Sequence, residues 1–171
     1  MLRRMKLSQK TPETPLQWDL PGVIKKAKMS QTTVETVVAQ ARAAQVQFET
    51  ASQAVVDELI VGLAWAIIAP ETNRSLAKQA VLETGLGNVE DKIIKNHRKT
   101  LGLLRDLKNV FTCGIIRELP EKGLVEIARP VGVVGGVTPS TNPIATPLNK
   151  TINAIKGRNA IILAPSPKGE A

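Results

Sequence analysis

From residue 31 onward, apolar positions recur at three- and four-residue steps, and that spacing predicts helices. Val34, Val37, Val38, Ala41, Ala44 and Phe48 make one stripe. Thr50, Ala51 and Ser52 interrupt it, and a hydroxyl there can cap a second helix by accepting from its first-turn amides. In that helix Val55, Val56, Leu59, Ile60, Leu63 and Ile67 leave little polar face, so it is expected to be buried on most sides. Pro70 ends it and opens a third helix, with Glu71 suited to the positive first turn. Leu76, Ala77, Ala80 and Val81 follow, and Gly85-Leu86-Gly87 supplies the stop. Asn88 caps a fourth helix, whose predicted inward face is Val89, Ile93, His97, Leu101 and Leu104. Helices fill residues 32–108 on this reading.

After Asn109 the pattern changes to strand. FTCGIIREL and LVEIA flank the turn-forming set Pro120-Glu121-Lys122-Gly123, which predicts a β-hairpin over residues 111–129. Pro130 separates a third run, VGVVGGV, at residues 131–137. The loop TPSTNPIATP then opens a helix through Leu148, Ile152 and Ile155, closed by Gly157-Arg158-Asn159. AIILA at 160–164 is a short, continuously apolar strand. Strand, helix and strand over residues 131–164 predict a right-handed βαβ unit of parallel sheet, so the fold class is α/β. Residues 1–30 carry Pro12, Pro15 and Pro21 among polar residues after a basic start, and are expected to be a flexible lead-in.

Composition narrows the function. The chain has 171 residues, 43% apolar and 22% charged, enough for one domain with a core. Lys and Arg number 23 against 15 Asp and Glu, a net charge of +8 that invites a nucleic-acid partner. Yet Trp18, Phe48, Trp65 and Phe111 are the whole aromatic set, too few for a base-stacking platform. One cysteine allows no intrachain disulfide and one histidine no Cys/His zinc cluster, so no metal is expected and a reducing cytoplasm is the default location. The longest apolar run, Leu59 to Ile68, has ten residues, against about 20 for a membrane span. No membrane partner is expected.

Few residues offer chemistry. Glycines 132, 135 and 136 sit in the strand before the βα loop, but as G-x-x-G-G rather than the dinucleotide fingerprint, which favours close backbone packing. Cys113 lies in a predicted hairpin strand with no base near it in sequence, and reads as an apolar filler. His97 reads as a packed histidine bonded to the backbone. Lys92, Lys95, Arg98 and Lys99 form a basic face, either simply solvated or touching phosphate. Thr138-Pro139-Ser140-Thr141-Asn142-Pro143 is the most informative stretch, because it follows a buried strand at the carboxyl end where open α/β sheets bind ligands. The Asn142 amide can donate to a developing oxyanion, or it can cap a helix opening at Pro143. The residues leave both open.

Residues 128–167, ARPVGVVGGVTPSTNPIATPLNKTINAIKGRNAIILAPSP, resemble the aldehyde dehydrogenase superfamily. The T-N-P loop followed by K-x-R-N-A-I-I is similar to its CoA-acylating branch, as is LETGLGNVEDKIIKNHRKT at 82–100. The likeness covers residues 31–169, and VTPSTNPIATPLNK resembles the sulfoacetaldehyde subgroup more than the acetaldehyde one. It implies an N-terminal portion of a dinucleotide-binding domain, with NAD or NADP as cofactor, CoA as co-substrate and a small aldehyde as substrate. It implies Asn142 as the oxyanion-hole donor and Thr138 and Pro139 as the lining of the nicotinamide side. Where relatives outside this branch carry K-P-S-E at the ribose, this chain has Ala164-Pro165-Ser166-Pro167, leaving Ser166 as the candidate ribose contact.

Cys113 does not match the family's catalytic cysteine, which lies far downstream. The chain is therefore expected to be truncated relative to the family, with little or no dehydrogenase activity by itself. A homo-oligomer through the hairpin is a further expectation. The competing expectation is a non-enzymatic, basic helical module that binds nucleic acid or an acidic assembly surface. It leaves the T-N-P loop and the βαβ unit unexplained.

Overall fold

A computed structural model describes residues 33–167. The lead-in at 1–30 lies outside the described residues. Four helices come first, α1 (Val34–Phe48), α2 (Gln53–Ile68), α3 (Pro70–Thr84) and α4 (Val89–Leu107). A hairpin of β1 (Gly114–Leu119) and β2 (Leu124–Ala128) follows, then β3 (Val133–Val137), α5 (Ala145–Lys156) and β4 (Ala160–Ala164).

Local chemistry sets the helix ends. Ser52 accepts from the Val55 N–H at 3.3 Å and Asn88 from the Asp91 N–H at 2.9 Å, so both caps anticipated from sequence form. Pro70 is the first residue of α3, and Gly85 ends that helix at φ +65°, the left-handed conformation that costs glycine nothing. Between β1 and β2 the chain takes one 3₁₀ turn over Pro120–Lys122. The two strands pair antiparallel, with Ile115 opposite Ile127 and a register shift between Ile115 and Arg117.

β3 and β4 pair parallel, from Val133 opposite Ala160 to Val137 opposite Ala164, with α5 as the crossover. They form a two-stranded sheet separate from the hairpin. Both α1 and α5 pack on it. The core lies where α2, α4 and α5 meet. Ile60, Ala64 and Ile68 face Leu148 and Ile152 there, with Leu103, Leu104 and Leu107 packed around them.

Four expectations change. Helix α2 is not buried on most sides. Val56, Ile60, Ala64 and Ile68 are buried at steps of four, while Val61 and Trp65 are 56% and 64% exposed. In α4 the inward face is turned by one position, so Lys92, Asn96 and Thr100 are buried and His97 is exposed, not packed. Asn96 can occupy that face because α3 satisfies it, whereas Thr100 Oγ1 is buried there without a hydrogen-bond partner among the described residues. Asn96 Nδ2 donates to Asn73 Oδ1 at 2.8 Å, and Asn73 Nδ2 donates to Ile93 O at 3.1 Å. Third, Cys113 precedes β1 rather than lying in it, because pairing starts at Gly114 opposite Ala128. Fourth, glycines 132, 135 and 136 do not share one role, and Gly132 falls just before β3. A Cβ on Gly136 would sit 2.9 Å from Leu163 Cδ2, Gly135 has open space, and Gly132 is required by its φ of +112°.

Candidate functional site at the carboxyl ends of β3 and β4

Beyond the last paired residues, Thr138 extends the contact between the strands. Its N–H donates to Ala164 O at 3.0 Å and its hydroxyl to the same oxygen at 3.3 Å. Thr138 is buried, and this pair of hydrogen bonds fixes the start of the loop to the end of β4. Pro139 is exposed just after it, and half-buried Ser166 stands two residues beyond Ala164. The fold thus gathers Thr138, Pro139 and the Ala164–Ser166 segment at one end of the parallel pair.

Asn142 is half-buried in the same loop, and its N–H donates to Pro139 O at 3.4 Å. Its side-chain amide makes no hydrogen bond among the described residues. The capping alternative is overturned. Helix α5 begins at Ala145 instead of Pro143, its N-cap position is Ile144, and no side chain caps it. The amide is left free to serve a ligand.

Helix α4 supplies the charge beside this loop. Lys95 Nζ donates to Thr141 O at 3.4 Å. Lys92 is 5% exposed, with its stem lying over Gly87, where a Cβ would come within 3.9 Å of Lys92 Cε. Burial, and secondarily the charge of Lys95, hold the Lys92 ammonium below its ordinary pKa. The expected solvated basic face therefore loses two of its four members, keeping Arg98 and Lys99 exposed. The sequence signal for this was the step of four that places Lys92 in one row with Asn96 and Thr100.

Asn159 was also missed as a positioning residue. Its Oδ1 accepts from the N–H groups of Val131 and Gly132 at 2.7 and 3.0 Å, which sets the entry of β3. Arg158, at φ +57°, donates from its guanidinium to Glu49 O at 2.6 Å and Ala128 O at 3.0 Å. Together they join the hairpin, α1 and the βαβ unit.

Cys113 and Asn142 are not brought together. Thr112, the neighbour of Cys113, donates its hydroxyl to Lys156 O at 2.6 Å, at the carboxyl end of α5. Asn142 precedes the amino end of that helix. Twelve helical residues separate the two ends, about 18 Å at 1.5 Å per residue. No group of three or more His, Cys, Asp or Glu side chains that could hold a metal occurs among the described residues. No single helix among them is long and apolar enough to cross a membrane.

The sequence pattern of the aldehyde dehydrogenase family matches residues 21–171. A sulfoacetaldehyde dehydrogenase (acylating) of Cupriavidus necator is 58% identical over 147 residues, 86% of this chain and 30% of that protein. Among solved structures, an acetylating aldehyde dehydrogenase from Geobacillus thermoglucosidasius is similar at 41% identity and a TM-score of 0.73. The likeness covers 79% of this chain and 29% of that one. Propionaldehyde dehydrogenase of Rhodopseudomonas palustris with bound propionyl-CoA is similar at 30% identity and a TM-score of 0.65, over 80% of this chain and 29% of that one. The chain thus spans about 30% of the length of the curated relative.

Proposed function

The chain belongs to the aldehyde dehydrogenase family, in its CoA-acylating branch, and from that premise we propose that it forms the oxyanion and dinucleotide side of an enzyme converting a small aldehyde to an acyl-CoA. The substrate is of the acetaldehyde or sulfoacetaldehyde class, the cofactor NAD or NADP, and the co-substrate CoA. One observation carries this reading. The half-buried Asn142 amide, unpartnered among the described residues, stands at the carboxyl end of a parallel strand in a loop that Thr138 locks to β4.

In the proposed mechanism Asn142 Nδ2 donates to the aldehyde oxygen as negative charge builds on it. A preorganised donor of this kind is worth about 2.7–4 kcal/mol to the transition state. The residues at the strand ends fit a dinucleotide. Exposed Pro139 offers an apolar edge to the nicotinamide side, and Ser166 a hydroxyl to the ribose. Bound there, the dinucleotide supplies a hydride acceptor. Thr138 has both its N–H and its hydroxyl committed to Ala164 O, so it acts by holding the loop. The thiol that attacks the aldehyde is not Cys113, which stands at the far end of α5. It is supplied by residues other than these 171, and the chain by itself turns over little or no aldehyde.

A complementation assay tests this. The chain is mixed with the remaining part of the Cupriavidus necator relative, with sulfoacetaldehyde, CoA and NAD, and NADH is followed by absorbance. Activity is expected only in the mixture, falling about 100-fold with Asn142→Ala. NADH formation by the chain alone, or a mixture indifferent to Asn142→Ala, would sink the reading.

Self-association belongs to the same proposal. Ile115, Leu124, Val125 and Ile127 of the hairpin are each more than half exposed. A two-stranded ribbon with apolar side chains in water and open edges is a pairing surface for another copy.

A further inference from the structure

We propose that Lys92 and Lys95 form a subsite for the anionic tail of the substrate, a sulfonate carried by a short aldehyde, beside the Thr141–Asn142 peptide. This rests on the function proposed above and adds the part of the substrate that the oxyanion donor leaves unread.

Lys92 is the first reason. It is 5% exposed and has no hydrogen-bond or ion-pair partner among the described residues. The Lys92 stem is buried, but Nζ is not among the buried unpartnered side-chain atoms of the described residues, so the ammonium reaches water. The other deeply buried lysine, Lys156, is 2% exposed and paired with Asp57. Lys92 therefore presents an unpaired ammonium that an anion in the adjoining cavity can meet.

Its surroundings say which anion. The two lysines open on a cavity of about 130 Å³, with Gly87, Asn88, Asp91 and Thr141 in its wall. At roughly 30 Å³ per water, that holds about four waters. A sulfonate head fits, whereas a whole dinucleotide needs several hundred cubic ångströms. Asp91 is the one carboxylate in the wall, and its Oδ2 already accepts from Asn88 Nδ2 at 2.6 Å. Two ammonium groups against one engaged carboxylate leave the cavity positive.

Position then links the cavity to the substrate. Lys95 Nζ reaches Thr141 O at 3.4 Å, and that carbonyl belongs to the peptide whose N–H is Asn142's. An aldehyde with its oxygen on the Asn142 amide can extend a charged tail toward this cavity. An uncharged aldehyde would leave Lys92 unpaired.

The test is an NMR titration of the full chain with isethionate, an unreactive sulfonate of the same length. Inorganic phosphate and propan-1-ol are run in parallel. Saturable shifts are expected at the Lys92, Lys95 and Thr141 amides, with phosphate at least tenfold weaker and propan-1-ol silent. Lys92→Met should weaken isethionate at least tenfold and Lys95→Met several-fold, while Lys99→Met, on the solvent side of α4, leaves it unchanged. The proposal is overturned by no saturable shift, by equal losses in all three variants, or by phosphate binding as tightly as isethionate, which would mark a generic anion site. Unchanged spectra at Ile152 and Leu148 show that each variant is folded. NAD added to the same sample reads the parent proposal separately, through Thr138. A response to NAD without one to isethionate sinks the subsite alone, and the reverse sinks the dinucleotide reading.

Discussion

Asn159, 8% exposed, accepts two backbone N–H groups through one oxygen and donates to Ala154 O at 3.3 Å. Asn159→Ala leaves the Val131 and Gly132 N–H groups without that acceptor at the start of β3. The expected loss is about 2–3 kcal/mol, read by urea denaturation. Lys92 acts in the opposite sense. Its pKa is held low in the folded state, mainly by burial, while the unfolded chain keeps about 10.4. The sign follows from linkage: between the two values the unfolded state binds more protons, so stability rises with pH there. Below the folded value the charged lysine weakens the fold by its full amount, and the deficit vanishes as pH approaches the unfolded one. Lys92→Met is therefore expected to be more stable than the wild type at pH 7, with an advantage that shrinks toward pH 10. Denaturation midpoints of the two proteins at pH 7, 8, 9 and 10 check it. An advantage that stays constant across that range would show that Lys92 is not the titrating cause.

The helix boundaries were largely legible because capping is local. Ser52, Pro70, Gly85 and Asn88 each act within a few residues of themselves. Asn88→Ala is expected to lose about 1 kcal/mol, since Asp91 N–H loses its acceptor. Helix faces were less legible. Periodicity places an apolar stripe, but α4 turns its polar row inward because α3 presents Asn73 to Asn96. That partner lies 23 residues away, beyond any sequence window. The same distance effect hides the network at α2. Lys156 Nζ donates to Asp57, Gln53 Nε2 donates to Asp57 at 3.0 Å, and the Thr112 N–H donates to Gln53 Oε1 at 2.7 Å. Asp57→Ala strands a buried ammonium and is expected to cost about 2 kcal/mol, reduced from the fully buried case because Asp57 is half exposed. Lys156→Met, which removes the buried charge itself, should cost less. Chemical denaturation of the two variants ranks them.

At the scale of the molecule, the described residues carry more exposed apolar surface than their core needs. The hairpin shows this most, and Trp65 and Val61 on α2 add to it. If the hairpin joins copies, Ile127→Lys should shift the sedimentation coefficient toward the monomer without altering thermal stability of the helices. A wild-type chain that sediments as a monomer at all concentrations would remove the self-association proposal. The sequence by itself determined the order of elements, the parallel strand pair and the place of the T-N-P loop. Those follow from periodicity, proline and glycine positions, and short motifs, all written within a few residues. Tertiary structure decided which side of each element faces in. It buried Lys92, exposed His97, freed Asn142 from capping and set Cys113 at the other end of α5 from it. Those outcomes depend on partners tens of residues away, and a side chain's burial and charge state are properties of its neighbours in space.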